Sequence, residues 1–184
     1  QVNSPDLLLD SFHNINVIST AREVTVEGRK ILMLPWINSE NREKTFKVIE
    51  ESDAEICMGH LELNGFEVTP GMRMEHGMDP KIFSKFKQVF SGHFHHKSKK
   101  GNIQYLGNPY QMFWNDYKDE RGFHLWNPDT TKLTRVKNPY EIFQKVFYNE
   151  TTESHLEFDL DKCKHSFVKI VVEDKKDYQE FEKF

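Results

Sequence analysis

Ser91-Gly92-His93-Phe94-His95-His96 decides how this chain folds, read together with Met58-Gly59-His60. Each follows an apolar run that predicts a buried strand, Gln88-Val89-Phe90 in one case and Ala54-Glu55-Ile56-Cys57-Met58 in the other. Each run ends at a small residue and delivers an imidazole at its C-terminal end, so two strand tips aim nitrogen donors at one place. In an extended segment side chains alternate, which puts His93 and His95 on one face and turns Phe94 into apolar packing. A glycine before the first histidine permits a sharp turn and a close approach of metal or substrate. Imidazole is a donor for Mn, Fe, Zn and similar ions. An HxH pair alone is also what a histidine-rich loop produces by chance; Gly-His at the end of both apolar runs favours a half-built metal centre.

These motifs carry a resemblance. Gly59-His60 and Gly92-His93-Phe94-His95 resemble the last two sequence motifs of the calcineurin-like metallophosphoesterases. Tyr105-Leu106-Gly107-Asn108-Pro109-Tyr110-Gln111 is similar to a segment of the SbcD-type recombination nucleases, with Asn108 standing where that pattern has serine. Within that group the wording is close to the phage T4-type recombination endonuclease subunits. The resemblance implies that His60 and His93 bind one metal of a binuclear centre and His95 the other, the ions being divalent, Mn first, with Mg, Fe or Zn as alternatives. It also implies DNA as substrate, an ABC ATPase of the SbcC type as partner, a nuclease homodimer, and a cytoplasmic location, that of the bacterial host for a phage-encoded chain. The family's amino-terminal motifs, Asp-x-His, Gly-Asp-x-x-Asp and Gly-Asn-His-Asp/Glu, supply the bridging carboxylate and the remaining ligands, and they do not occur in this sequence. The expectation is therefore the C-terminal half of a phosphoesterase domain over residues 1–138, a linker over 139–164, and the start of a DNA-binding cap over 165–184.

Composition sets the outer limits. A length of 184 residues allows one domain or one and a part, on a prior of about 100 to 200 residues per domain. With 37% hydrophobic and 13% aromatic residues the chain can build a core, while 29% charged residues keep it soluble. A formal charge of -4 is no general attraction for nucleic acid, so any affinity for phosphate must be local. Cys57 and Cys163 are far apart in unrelated contexts, which argues against a disulfide framework and for a reducing compartment. No run of about eighteen apolar residues and no signal-peptide pattern points to membrane or export.

In chain order, Asn14-Ile15-Asn16-Val17-Ile18 predicts a short strand, and Glu23–Val26 and Lys30–Leu34 flank Glu27-Gly28-Arg29 as a hairpin. Asn41–Glu51 carries Phe46, Val48 and Ile49 as one apolar stripe among charges, which predicts a helix. Strand, helix and then Ile56-Cys57-Met58 make a βαβ order, hence a sheet covered by helices. The Gly- and Met-rich passage from Pro70 to Met78 suits a mobile wall beside the site or a surface loop. Asp79-Pro80 starts a short helix with Asp79 as its cap. Further on, Ile103–Leu106, Gly122–Trp126 and Lys132–Val136 predict strands, the last two a second hairpin that completes a two-layer core. The fold class expected is α/β (α+β by some schemes): a two-layer β-sandwich flanked by helices, of the metallophosphoesterase type and incomplete, followed by the start of a small α/β cap. For that cap, Phe167–Val172 predicts a strand and Asp174–Glu182 the start of an amphipathic helix.

Basic residues accumulate between Met72 and Lys100, and Lys97, Lys99 and Lys100, with Asn108, are the candidates for substrate binding. Lysines near phosphates release counterions and favour a polyanion; a solvated hairpin loop would use the same residues. Trp114 is a candidate for a DNA or partner contact, though packing under its loop is the expected state. His13, His76, His155 and His165 have no partner spacing; His124, alternating with aromatic residues in a strand, is expected to be structural, and His96 to point away from His95 into solvent, with help to a leaving group as the alternative. The function expected is a metal-dependent DNA exo- or endonuclease subunit acting in recombination, repair and DNA-end processing, with this half-site inactive alone. Alternatives are another metallophosphoesterase, such as a phosphatase or cyclic-nucleotide hydrolase, or a non-catalytic DNA-binding or assembly module with a degenerate metal site.

Overall fold

A computed structural model describes residues 4–9, 11–153 and 155–184. By its internal contacts the chain divides into two units, residues 1–107 and 108–184.

The first unit begins with a short helix, α1 (Ser4–Leu9), and the hairpin β1 (Arg22–Val26) and β2 (Arg29–Leu34), whose turn places Glu27 and Gly28 at positive φ. Then come helix α2 (Arg42–Glu51), β3 (Ile56–Gly59), the small ribbon β4 (Glu67–Thr69) with β5 (Met72–Arg73), a 3-10 turn at Pro80–Phe83, β6 (Gln88–Ser91), β7 (Ser98–Lys100) and β8 (Ile103–Tyr105). One six-stranded sheet results, in the order β1-β2-β3-β6-β8-β7. Its inner strands β2, β3, β6 and β8 run parallel, and the outer strands β1 and β7 are antiparallel to their neighbours.

The reason is in the sequence. Strands β3 and β6 are apolar on both faces, as parallel strands buried on two sides must be, and Ile56, Cys57, Val89 and Phe90 are all buried. Helix α2 buries Thr45 and Ile49 and leaves its charges to solvent. Asp79 caps the 3-10 turn through its side chain, which accepts from the Lys81 backbone N–H. Phe83 and Phe86 fill the core beside Leu32, Leu61 and Leu63. The mixed α/β class is therefore as expected. The strand foreseen over residues 14–18 does not form: Ile15 is exposed, and the segment has no ladder partner among the described residues.

The second unit contains the antiparallel hairpin β9 (Gly122–Asn127) and β10 (Lys132–Lys137), followed by β11 (Phe143–Asn149), β12 (Phe167–Asp174) and helix α3 (Tyr178–Lys183). The second hairpin exists as read, within this unit. Strand β11 lies inside the segment expected to be a linker, and it pairs in parallel with β12. Its pattern hid it: Phe143, Val146 and Tyr148 are buried while Phe147 points out, so strict alternation is broken. Trp114 packs against Phe143 with ring centroids 4.8 Å apart, the packing role anticipated for it. A buried network ties the unit together. Gln111 Oε1 accepts from the backbone N–H groups of Ile142 and Phe143, and Arg121 donates to Asp116, which also accepts from the N–H groups of Met112 and Phe113. No helix among the described residues is long and apolar enough to cross a membrane.

Candidate functional site

In an open sheet with parallel strands, the loops beyond the carboxyl ends of those strands form the binding crevice. Here β2, β3 and β6 are consecutive in the sheet and parallel, with Leu34 opposite Gly59 and Gly59 opposite Ser91 at their ends. The next residues of the three strands include Trp36, His60 and His93. The two imidazoles meet edge to face with centroids 5.3 Å apart, and the indole of Trp36 leans on both, 4.9 Å from His93 and 5.8 Å from His60. The prediction that two strand tips deliver imidazole to one place is what the geometry contains.

The way His93 arrives differs from the expectation. Strand β6 stops at Ser91, and His93 has φ of 83°, in the left-handed region. Simple alternation therefore does not set the directions of His93 and His95; a turn does. Phe94 nevertheless enters the core as anticipated, 3% exposed and packed against Tyr105 with the rings tilted and their centroids 4.5 Å apart. A non-glycine residue held at positive φ costs energy that the surroundings must supply. A buried lock fastens the neighbouring tip. Ser91 Oγ accepts from Leu61 N–H, and the Tyr105 hydroxyl donates to Leu61 O at 2.7 Å and accepts from Leu63 N–H at 3.1 Å. Burial pushes the Tyr105 hydroxyl well above its usual range, so it remains a donor. Gly107, at φ 71°, lets the chain pass against the backbone of His95 and Lys97; a β-carbon there would lie 2.9 Å from His95 O.

The electrostatics favour neutral imidazoles. Partial burial of the His60 ring, and then the charges of His93 and His95, hold its pKa below the usual 6.5. His60 is exposed as a residue, yet Trp36 and His93 cover part of its ring. Burial also lowers His93; the Glu62 carboxylate, 3.9 Å from its Nε2, opposes this and His95 reinforces it. Both are therefore nitrogen donors at neutral pH, the form a metal requires. Among the described residues, however, no three His, Cys, Asp or Glu side chains converge closely enough to hold an ion. The donor type fits a metal, and the ligand set is not closed by these residues.

Beside the histidines an open cleft of about 360 Å³ is lined by Trp36, Asn38, Arg42, His60, Glu62 and His76, among others. Its wall includes the Gly- and Met-rich passage, which backbone bonds fasten: Met78 N–H donates to Glu62 O at 2.8 Å and Asn64 N–H to Met78 O at 3.0 Å. A β-carbon on Gly77 would come within 2.5 Å of the Leu63 backbone, so only glycine allows this contact. Lys99 and Lys100 lie on the edge strand β7 and line a different groove with Arg73 and Glu67, of about 420 Å³. Lys97 is half-buried before that strand, and His96 stands 3.6 Å from Glu67. Asn108 opens the second unit, where its amide donates to Met112 Sδ. Cys57 lies fully buried in the hydrophobic core, where burial pushes its thiol up to about 12.

Sequence reasoning passed over Trp36, Arg42 and Glu62 and set His76 aside. The signal for Trp36 was available, because Lys30–Leu34 is a third apolar run ending at the same edge.

No protein-family model matches the chain. Over 146 residues it is 33% identical to exonuclease subunit 1 of Enterobacteria phage T4, an alignment that takes in 79% of this chain and 43% of that protein. The chain thus spans less than half the length of the relative it matches.

Proposed function

We propose that the chain is part of a metal-dependent nuclease of the SbcD-type metallophosphoesterase kind, and that His60, His93 and His95 furnish part of its metal centre. The observation that carries this is the meeting of His60 and His93 at adjacent parallel strand tips, beside an open cleft. Similarity to a phage exonuclease subunit supports the choice of DNA phosphodiesters as substrate. The ligands needed to close the site come from outside the described cluster. Two divalent ions, Mn first and Mg, Fe or Zn after it, would supply a clamp on the phosphate and an activated water.

The chain's own residues have separable tasks. His60 and His93 offer neutral nitrogen donors, Glu62 places negative charge beside His93, and the Ser91–Leu61–Tyr105 lock fixes both tips. Lys99 and Lys100 with Arg73 attract the polyanion along the neighbouring groove. The proposal extends to a role in recombination, repair and DNA-end processing in the cytoplasm of a bacterial host, with an SbcC-type ATPase partner and a nuclease homodimer.

The test is manganese-dependent cleavage of end-labelled DNA by the full-length protein and by its His93→Ala and His95→Ala variants. Cleavage that both substitutions abolish supports the reading. Cleavage that survives both, or hydrolysis of phosphopeptides or cyclic nucleotides but not DNA, overturns it.

A further inference from the structure

Trp36 is 42% exposed, although it already covers two imidazole rings. Large exposed aromatics beside a polar cleft are stacking surfaces for flat ligands. This one is also held in place. Asn41 Nδ2 donates to Trp36 O at 2.8 Å, Asn41 Oδ1 accepts from Asn38 N–H at 2.9 Å, and Asn38 Oδ1 accepts from the N–H groups of Glu40 and Asn41. The two asparagines thus knit residues 36–41 into a fixed turn that leads into α2. At the start of that helix Arg42 lines the same cleft, its guanidinium resting 4.9 Å over the Phe46 ring.

We propose that Trp36 is a stacking platform for one nucleobase of a single-stranded substrate end, seated in the cleft so that the adjoining phosphate meets the histidine tips, with Arg42 as the cation facing the strand. This rests on the nuclease reading and names how that site takes its substrate. Stacking is indifferent to base identity because every base has a π-face, so the platform gives affinity and register without sequence preference. It also accounts for an indole at the tip of β2, where a small apolar residue would suffice to end the strand. Trp36 acts on the nucleobase and Arg42 on the phosphate, so the two contributions separate by chemistry.

The experiment is an anisotropy titration of labelled single-stranded oligonucleotides against the full-length protein with Mn²⁺, using wild type, Trp36→Leu and Trp36→Phe. A parallel scan replaces one nucleotide at a time by an abasic residue. Affinity is expected to fall roughly 5- to 100-fold in Trp36→Leu and to stay within about threefold of wild type in Trp36→Phe. With wild type one abasic position should reproduce the loss, and at that position Trp36→Leu should add nothing. The abasic scan needs no substitution, so a variant that fails to fold leaves the test intact. A uniform abasic profile, or equal losses in the Leu and Phe variants, overturns the stacking role. If Mn²⁺ affinity measured without DNA falls as much as DNA affinity in Trp36→Leu, the indole only positions the histidines and the proposal fails. Wild type that cleaves DNA with a flat scan sinks the platform alone; wild type that neither binds nor cleaves sinks the nuclease reading as well.

Discussion

The Nδ1 atom of His60 stands 2.9 Å from the point where a β-carbon on Gly92 would lie. The glycine of one strand tip is thus the space that the imidazole of the other tip occupies. Gly92→Ala should push the His60 ring aside, and because the clash is with a side chain and not with backbone, the fold should survive. The expected result is a roughly 10- to 100-fold loss of metal affinity with an unchanged far-UV circular dichroism spectrum. Mn²⁺ titration by calorimetry checks it, and unaltered affinity would refute the packing argument.

His60 and His93 should both titrate below 6.5 in the metal-free protein, since burial lowers each of them. The sign follows from linkage: a depressed histidine pKa means that the fold prefers the neutral ring. The associated stability is complete above the unfolded value and is lost as pH falls through the folded one. Metal affinity should therefore persist into mildly acidic solution and drop only when these rings protonate. NMR titration of the ring Cε1 protons reads both midpoints; values at or above 6.5 would contradict the geometry.

Removing the Tyr105 hydroxyl tests the lock on the β3 tip. In Tyr105→Phe the buried Leu63 N–H and Leu61 carbonyl lose a partner, which should cost about 1–3 kcal/mol. Urea unfolding measures that loss, and hydrogen exchange at Leu63 should quicken in the variant. A stability equal to wild type would mean that water replaces the hydroxyl.

Arg121 and Asp116 form a buried pair in the second unit, each side chain 5% exposed, with Asp119 as a further partner of the guanidinium. Arg121→Ala leaves the carboxylates uncompensated, so a loss of about 3–5 kcal/mol is expected. Loss of near-UV signal from Trp114 at lower denaturant than in wild type would register it. Replacing Arg121 and Asp116 together by apolar residues should cost less than the single change.

Much of the first unit was legible because its signals are local. The β1–β2 turn, the α2 stripe, the Asp79 cap and the apolar runs of β3 and β6 each follow from residues close in sequence. The strand over residues 14–18 failed since a ladder partner is not a local property. Strand β11 was missed for the complementary reason: its apolar residues do not alternate, and its partner β12 lies beyond a crossing segment. In the second unit, the buried polar network of Gln111, Asp116 and Arg121 joins residues whose sequence context reads as a loop.

The sequence by itself determined that two apolar strands end in Gly-His, and hence that imidazoles gather at one edge of a sheet. Backbone sterics and hydrophobic periodicity act over a few residues, so these features are written in the chain. Tertiary structure alone decided that His93 enters through a left-handed turn, that Glu62 stands beside it, that Trp36 roofs both imidazoles, and that Lys99 and Lys100 line a separate groove. Those relationships depend on which strands become neighbours, and the order β2-β3-β6 is set by packing across the whole sheet, not by any single stretch.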